Sequence, residues 1–272
     1  MKAIGNSPSV GNIVIKSVLY GSFLILAGCG GGGEASPGMN QPNGTVASTN
    51  QFNFGSSWKA FLSKTYIRNL IVTGSCGGTI EYTHSAVSQP TSFDYSDATF
   101  PHPLGSANPG YYIWHGQKVS AQFTDCSIST SVATTTAYYD AKSFAPYGYK
   151  GGTAYNGATS YKATFREFSS PVVLPEIVKV GNSGRVGIIN VYGTSNFKKD
   201  NILQGTIEVS YVVEPETSSS ALINIISKSY DLTMTLLLID QTRYRIDKDN
   251  ELSLHSIEQD VSGPQRLQII AR

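Results

Sequence analysis

Three patterns of apolar and polar residues divide this chain. Residues 17–26 form an apolar run of ten positions, too short for a bilayer span of about 20 residues. At residues 58–62 the spacing turns helical, with Trp58, Phe61 and Leu62 on one face and Ser56 or Ser57 as N-cap. This predicts a short helix whose apolar face plugs a sheet. From residue 66 onward the period is two. Segments 66–73, 78–83, 111–114, 118–124, 131–139, 185–192, 204–213, 221–230, 232–239, 242–246, 252–258 and 266–271 read as strands. Leu222, Ile223, Ile225 and Ile226 are dense enough for a strand buried on both faces.

Turn chemistry separates these segments. Residues 74–78 and 181–184 are glycine turns, 247–250 is a turn by composition, and Pro215 breaks the strand before it. Pro90, Pro101, Pro103 and Pro109 mark residues 89–110 as a long loop. Residues 145–161 carry Tyr147, Tyr149, Tyr155 and Tyr161 among four glycines and read as a long connection. Its rings either cover the end of the fold or form a recognition loop for a sugar or peptide. The expected fold is all-β, an antiparallel meander closing as a β-barrel or β-sandwich, with one short N-terminal helix. The expected organisation is a signal peptide over 1–28, a flexible tether rich in Gly, Ser and Asn over 29–57, and one domain over 58–272.

Charge narrows the partners. Removing residues 1–28 takes away Lys2 and Lys16 and no acid, which turns the formal +1 into −1. A near-neutral domain lacks the electrostatic footprint of a nucleic-acid binder and the polybasic patch that draws a protein to anionic lipid. Charged residues make up 14% of the chain, low for a soluble protein; Ser, Thr, Asn, Gly and Tyr supply the polar surface instead, as exported β proteins often have it.

The two lysines, the apolar run and the small residues after it have the order of a secretory signal. Leu26-Ala27-Gly28-Cys29 resembles the lipobox of bacterial lipoproteins. The resemblance implies cleavage before Cys29, a diacylglycerol thioether on its sulfur and an acyl group on the new N-terminus, which together anchor stably. The membrane is then a partner through the lipid on Cys29. Gly30, with no Asp at that position, implies export to the outer membrane in enterobacterial lipoproteins, so the expected location is the cell envelope, facing periplasm or cell surface. A flexible tether of about 27 residues would hold the domain roughly 30 Å from the bilayer.

Lipidation of Cys29 leaves Cys76 and Cys126 in an oxidising compartment, where a disulfide is expected; a buried free pair or a metal site are the alternatives. A disulfide closing a loop of about 50 residues stabilises by about 4 kcal/mol in the chain-entropy model. Residues 74–79 (GSCGGT), 123–126 (FTDC), 138–140 (YYD), 178–181 (VKVG), 210–214 (SYVVE) and 243–246 (RYRI) are similar to an uncharacterised group of proteobacterial lipoproteins. That likeness implies one folded unit and transfers no site. At fold level the chain also looks like the half-barrel lipoprotein carriers, which by itself implies no function.

Candidate chemistry is sparse. His84, His102 and His115 have no metal-motif spacing. No nucleophile elbow is present, and residues 181–185 (GNSGR) read as a β-turn. Glu208 and Glu214 share a strand face about 20 Å apart by strand rise, too far for a hydrolytic pair. Arg243 and Arg245 share a face and are expected to be balanced by Asp240, Asp247 or Glu258. No catalytic residue, metal or cofactor is assigned. The expectation is a non-enzymatic envelope lipoprotein with a structural or partner-binding role; the alternative is a carrier or sensor of an apolar ligand in a barrel cavity. Trp58, Tyr147, Tyr149, Tyr155 and Tyr161 are the candidate contacts for ligand or partner.

Overall fold

The computed structural model describes residues 51–75, 77–92, 111–124, 131–155, 162–195, 198–261 and 267–272. Its elements are β1 (Gln51–Phe52), α1 (Phe54–Leu62), β2 (Tyr66–Gly74), β3 (Gly78–His84), β4 (Thr91–Ser92), β5 (Tyr111–Phe123), β6 (Ser131–Asp140), β7 (Pro146–Tyr155), β8 (Lys162–Phe168), β9 (Val178–Lys179), β10 (Ser183–Ser195), β11 (Lys198–Pro215), β12 (Ser220–Tyr230), β13 (Leu236–Asp247), β14 (Leu252–Val261) and β15 (Leu267–Ala271).

The strands make an antiparallel β-barrel. Pairings run β3-β2-β15-β14-β13-β12-β11-β10-β8-β7-β6-β5, and β5 pairs back onto β3. That ring of twelve removes the open edges a sandwich would leave. The closing seam is in register from Gly78↔Phe123 to His84↔Gln117. The expected meander is therefore a barrel, with β4 added at one end of β5. β1 pairs with β9 in a separate two-stranded strap.

Alternation sorts the side chains of the wall. Along β13 the positions Leu238, Asp240, Thr242, Tyr244 and Ile246 are buried, and those between them are more exposed. Ile207, Val209, Tyr211 and Val213 on β11 and Ile223 and Ile225 on β12 are buried on the same inner side. The outer face of β11–β14 carries Glu208, Glu214, Lys228, Arg243, Arg245 and Glu258. Such a wall faces water, since charges on the outer surface of a barrel are costly against lipid.

Eight strands enclose a space that side chains can fill, and sixteen leave a channel. Twelve lie between, and here a helix fills one end. Trp58 is fully buried; its ring lies 6.5 Å from Tyr139 on β6 and 6.2 Å from Tyr244 on β13. These two strands are opposite one another on the ring of pairings, so Trp58 spans the interior. Phe61 continues the plug against Tyr66, His84 and Tyr244.

The plug is latched by polar contacts. Asn53 N–H donates to Asn250 Oδ1 at 2.7 Å and Ser57 Oγ donates to Asn250 O at 2.6 Å. Gly55 N–H donates to Glu176 O. A Cβ at Gly55 would lie 2.4 Å from Glu176 Oε2 and 3.3 Å from its Cα, so glycine is what lets this loop approach.

Several boundaries differ from expectation. The helix is the one predicted, but it begins at Phe54 with Asn53 as N-cap residue, not at Ser56 or Ser57. Residues 51–57, assigned to the tether, belong to the fold, because Phe52 and Phe54 are buried in the core. The remainder of the tether and the signal segment lie outside the described residues. Segments 111–114 and 118–124 are one strand, as are 232–239 and 242–246 apart from the first few residues. Residues 145–161, expected as a loop, contribute β7 over Pro146–Tyr155; residues 156–161 lie outside the described residues. Glycine is tolerated there because a Cβ at Gly151 would lie 2.9 Å from Thr134 O and 2.7 Å from Thr135 Oγ1.

Candidate functional site

Two features stand out, one inside the barrel and one at its mouth. The inner wall of β12–β14 carries a buried polar group, Ser227, Asp240, Thr242 and Gln259; His84 on β3, Gln117 on β5 and Thr164 on β8 are further buried polar positions of the inner face. The register explains their meeting. Asp240 faces Ser227 on one side and Gln259 on the other, and Thr242 is two residues along the same face. From across the ring, β8 sends Arg166 inward. Arg166 pairs in register with buried Tyr149 and with Val191, on the face that holds Phe168 and Ile189. Gln117 on β5 is also buried here, its Nε2 donating to Tyr82 Oη at 3.4 Å.

Asp240 is the anomaly. It is 2% exposed, and neither carboxylate oxygen accepts a hydrogen bond of normal geometry. Burial pushes its pKa up to about 7, with the Arg166 charge and the Gln259 amide pulling the other way. Loss of water from a carboxyl group normally demands compensating donors. The same desolvation raises the pKa of Tyr244, Tyr82 and Tyr139, which stay neutral.

The wall facing Asp240 is less tightly covered. Thr135 pairs with Gly151 and Arg166 with Val191; these four inner-face positions stay partly exposed, while Thr164 opposite Gly151 and Tyr149 opposite Arg166 are buried. Toward α1 the inner face of these strands is sealed, with Ala137, Tyr139, Tyr149, Phe168 and Ile189 buried. The lumen is thus closed by rings at the α1 end and retains accessible surface beside Arg166.

The second feature is a cleft of about 310 Å³ between the β6–β7 turn and the segment after β8. Tyr147, Pro146, Phe168, Pro171 and Val172 line it, with Asp140, Ser143 and Ser170 as its polar groups. Asp140 organises the turn: Oδ1 accepts from Lys142 N–H, Ser143 N–H and Ser143 Oγ, and Oδ2 accepts from Tyr147 Oη at 2.9 Å. Burial would raise the Asp140 pKa, but these donors hold it below the usual carboxylate value. Burial and the adjacent anion push Tyr147 upward.

The sequence candidates divide accordingly. Tyr147 is at the cleft. Trp58 and Tyr149 are buried: Trp58 plugs the barrel, and Tyr149 packs inside it instead of offering an open contact, since such rings are amphipathic enough to pack in an interior. The Tyr155 side chain and Tyr161 lie outside the described residues, as do Cys29, Cys76, Cys126, His102 and the His115 side chain. Near those two cysteine positions, Thr124 N–H donates to Gly77 O at 3.0 Å. His84 is a core residue whose Nε2 donates to Phe61 O at 3.2 Å, and burial lowers its pKa. No metal-binding group of His, Cys, Asp and Glu occurs among the described residues.

The outer face accounts for the remaining charges. Arg243 reaches Glu214 at 3.2 Å and Glu258 at 3.1 Å, and Arg245 pairs with Glu216. Glu258 was expected in that role. Asp240, offered as a counter-charge on the same face, is instead on the opposite face of β13, because it has the parity of Tyr244. Asp247 caps the turn after β13, its Oδ1 accepting from Asp249 and Glu251 N–H. Sequence reasoning missed Asp240 and Arg166 as inner residues; the parity of Leu238, Asp240, Thr242, Tyr244 and Ile246 was the available signal. No family model, curated protein or solved structure matches this chain.

Proposed function

We propose that the chain is a lipid-anchored, non-enzymatic envelope lipoprotein that carries a small amphiphile in the lumen of its barrel. The observation that supports this reading is Asp240, a carboxyl group buried on the inner wall with only the Gln259 amide and the Arg166 charge to offset its loss of water. Ligand sites combine an apolar lining with a few placed polar groups, and barrel interiors are a recurrent setting for them. α1 closes one end, so ligand enters from the other. Anchoring belongs to Cys29, and a disulfide between Cys76 and Cys126 is part of the same reading.

Native mass spectrometry of the full chain extracted from membranes tests the carrier reading. A retained small hydrophobic or amphiphilic molecule is expected; a bare protein mass in repeated preparations contradicts it. Cys29→Ala is expected to lose acylation and leave the membrane fraction, and full retention there would remove the anchor. Thiol labelling of the denatured, unreduced protein is expected to find neither Cys76 nor Cys126 reactive.

A second reading, partner binding at the cleft, is favoured by its lining. Tyr147, Phe168, Pro146 and Pro171 offer flat apolar surface around the anionic Asp140. Crosslinking from Ser170→Cys in intact envelopes would capture such a partner, and lumen binding alone would give none.

A further inference from the structure

We propose that a gap in the barrel wall between β2 and β14 takes an extended acidic segment of a partner protein as an added strand. This site lies outside the lumen and stands whether or not the barrel carries a ligand.

β15 is the shortest of the twelve strands in the ring. It pairs with residues 257–261 of β14 and with residues 72–74 of β2. Arg272 adds one rung, exchanging both backbone hydrogen bonds with Ile71 at 2.9 and 3.1 Å. Past that rung, toward the α1 end, residues 66–70 of β2 and 252–256 of β14 have no strand between them among the described residues. Two strands that flank a third lie about 9.5 Å apart, so the gap has the width of one strand. Tyr66 closes its floor. The ring lies against Phe61, Tyr82 and His84 inside the barrel, and the backbone of Leu254 hydrogen-bonds to its hydroxyl.

The β2 edge is ready to pair. Successive residues of a strand turn their backbone groups to opposite neighbours. Ile71 faces Arg272, so Asn69 and Ile67 turn their N–H and C=O into the gap, and no described residue bonds them there. Such an edge is a template for a further strand, the geometry of β-augmentation. Ile67 and Ile71, 62% and 68% exposed, flank Asn69 and offer apolar contact to alternate side chains of that strand.

Charge selects the partner. Arg68 and Arg272 are exposed, and neither has an ion pair among the described residues. His255 is the bulge residue on the β14 side. Burial, then the charges of Arg245, Arg272 and Arg68, hold its pKa below the ordinary value against the pull of Glu216. Glu216 is itself paired with Arg245. Glu81 is on β3, with β2 between it and the gap, and Glu251 is in the turn that precedes β14. The surplus around the gap is positive, so acidic side chains on the added strand gain and basic ones are repelled.

The test extends the full chain carrying Cys29→Ser past Arg272 with a short tail alternating valine and glutamate, or valine and lysine. A linked tail meets the gap at high effective concentration. Amide hydrogen exchange is read at Ile67 and Asn69, which should exchange fast in the unextended chain. The acidic tail is expected to slow both at least about tenfold, and the basic tail by less than about threefold. The free acidic peptide at about 1 mM is expected to reproduce the slowing in the unextended chain. Slowing by neither tail overturns the gap as a strand site, and equal slowing by both overturns the acidic partner. Slowing by the tail but not by the free peptide overturns binding from a partner. Slow exchange in an unextended chain that sediments as a dimer makes a second copy the occupant and overturns the proposal too. Asn69→Pro removes an edge N–H and is expected to abolish the slowing at Ile67; should it fail to fold, the two tails still decide.

Discussion

The two faces of β13 treat charge in opposite ways. On the outer face Arg243 is held by Glu214 and Glu258, with Asn224 Nδ2 donating to both Glu214 and Gln241. Three residues earlier, on the inner face, Asp240 is buried with its carboxylate oxygens bare. The same strand therefore holds a satisfied charge network and an unsatisfied carboxyl group. The outer charges are neutralised by opposite charges near the surface, whereas the burial of Asp240 is opposed only by the Arg166 charge and the Gln259 amide.

That contrast can be broken from several sides. The largest effect belongs to the plug that seals the inner face. Trp58→Ala removes the ring that touches Tyr139 and Tyr244 and should cost about 3–5 kcal/mol in urea denaturation. Next is Asp240. Burial raises its folded pKa to about 7, from the ordinary 3.8 of an exposed aspartate, so the folded state binds the proton more tightly than the unfolded chain. Stability should be greatest below pH 4 as far as this group is concerned, fall between pH 4 and 7, and level off above. Asp240→Asn should flatten that fall, which amounts to about 4 kcal/mol as an upper estimate. Melts from pH 4 to 8 measure it; an identical slope in both proteins would place Asp240 in contact with water.

The outer face gives smaller changes. Arg243→Ala leaves Glu214 and Glu258 without their shared cation in a half-buried setting and should cost about 1–2 kcal/mol. The loss should shrink in high salt. Arg245→Ala removes an ion pair whose arginine is 48% exposed, and should change stability by no more than about 0.5 kcal/mol. If Arg245 proved as costly as Arg243, the distinction between network and isolated pair would fail.

Much of this fold is legible in the residues. Trp58, Phe61 and Leu62 announce the helix by spacing, and the β12 residues from Leu222 to Ile226 announce a strand, although its outer-face Leu222 and Ile226 stay partly exposed. Closure into a ring is not legible, because it depends on β3 meeting β5 across residues 85–110, a long-range pairing without a local signal. The glycines of β7 hid a strand, since Gly151 serves close approach to β6 rather than a turn. Tyr147 was found as a site residue because it is amphipathic and set among glycines. Asp240 was misplaced because a charged residue in a strand is expected on the wet face; only parity with Leu238 and Tyr244 argues otherwise. Arg166 had no such cue, as its inward direction follows from registers with Tyr149 and Val191.

The most direct test of the lumen as the binding site is a crystal structure of the full chain carrying Cys29→Ser, soaked with dodecylamine. The account predicts the alkyl chain inside the barrel, with its polar end among the buried polar groups of β12–β14. Density in the Tyr147–Asp140 cleft with an empty lumen would contradict it and make the barrel mouth the functional surface.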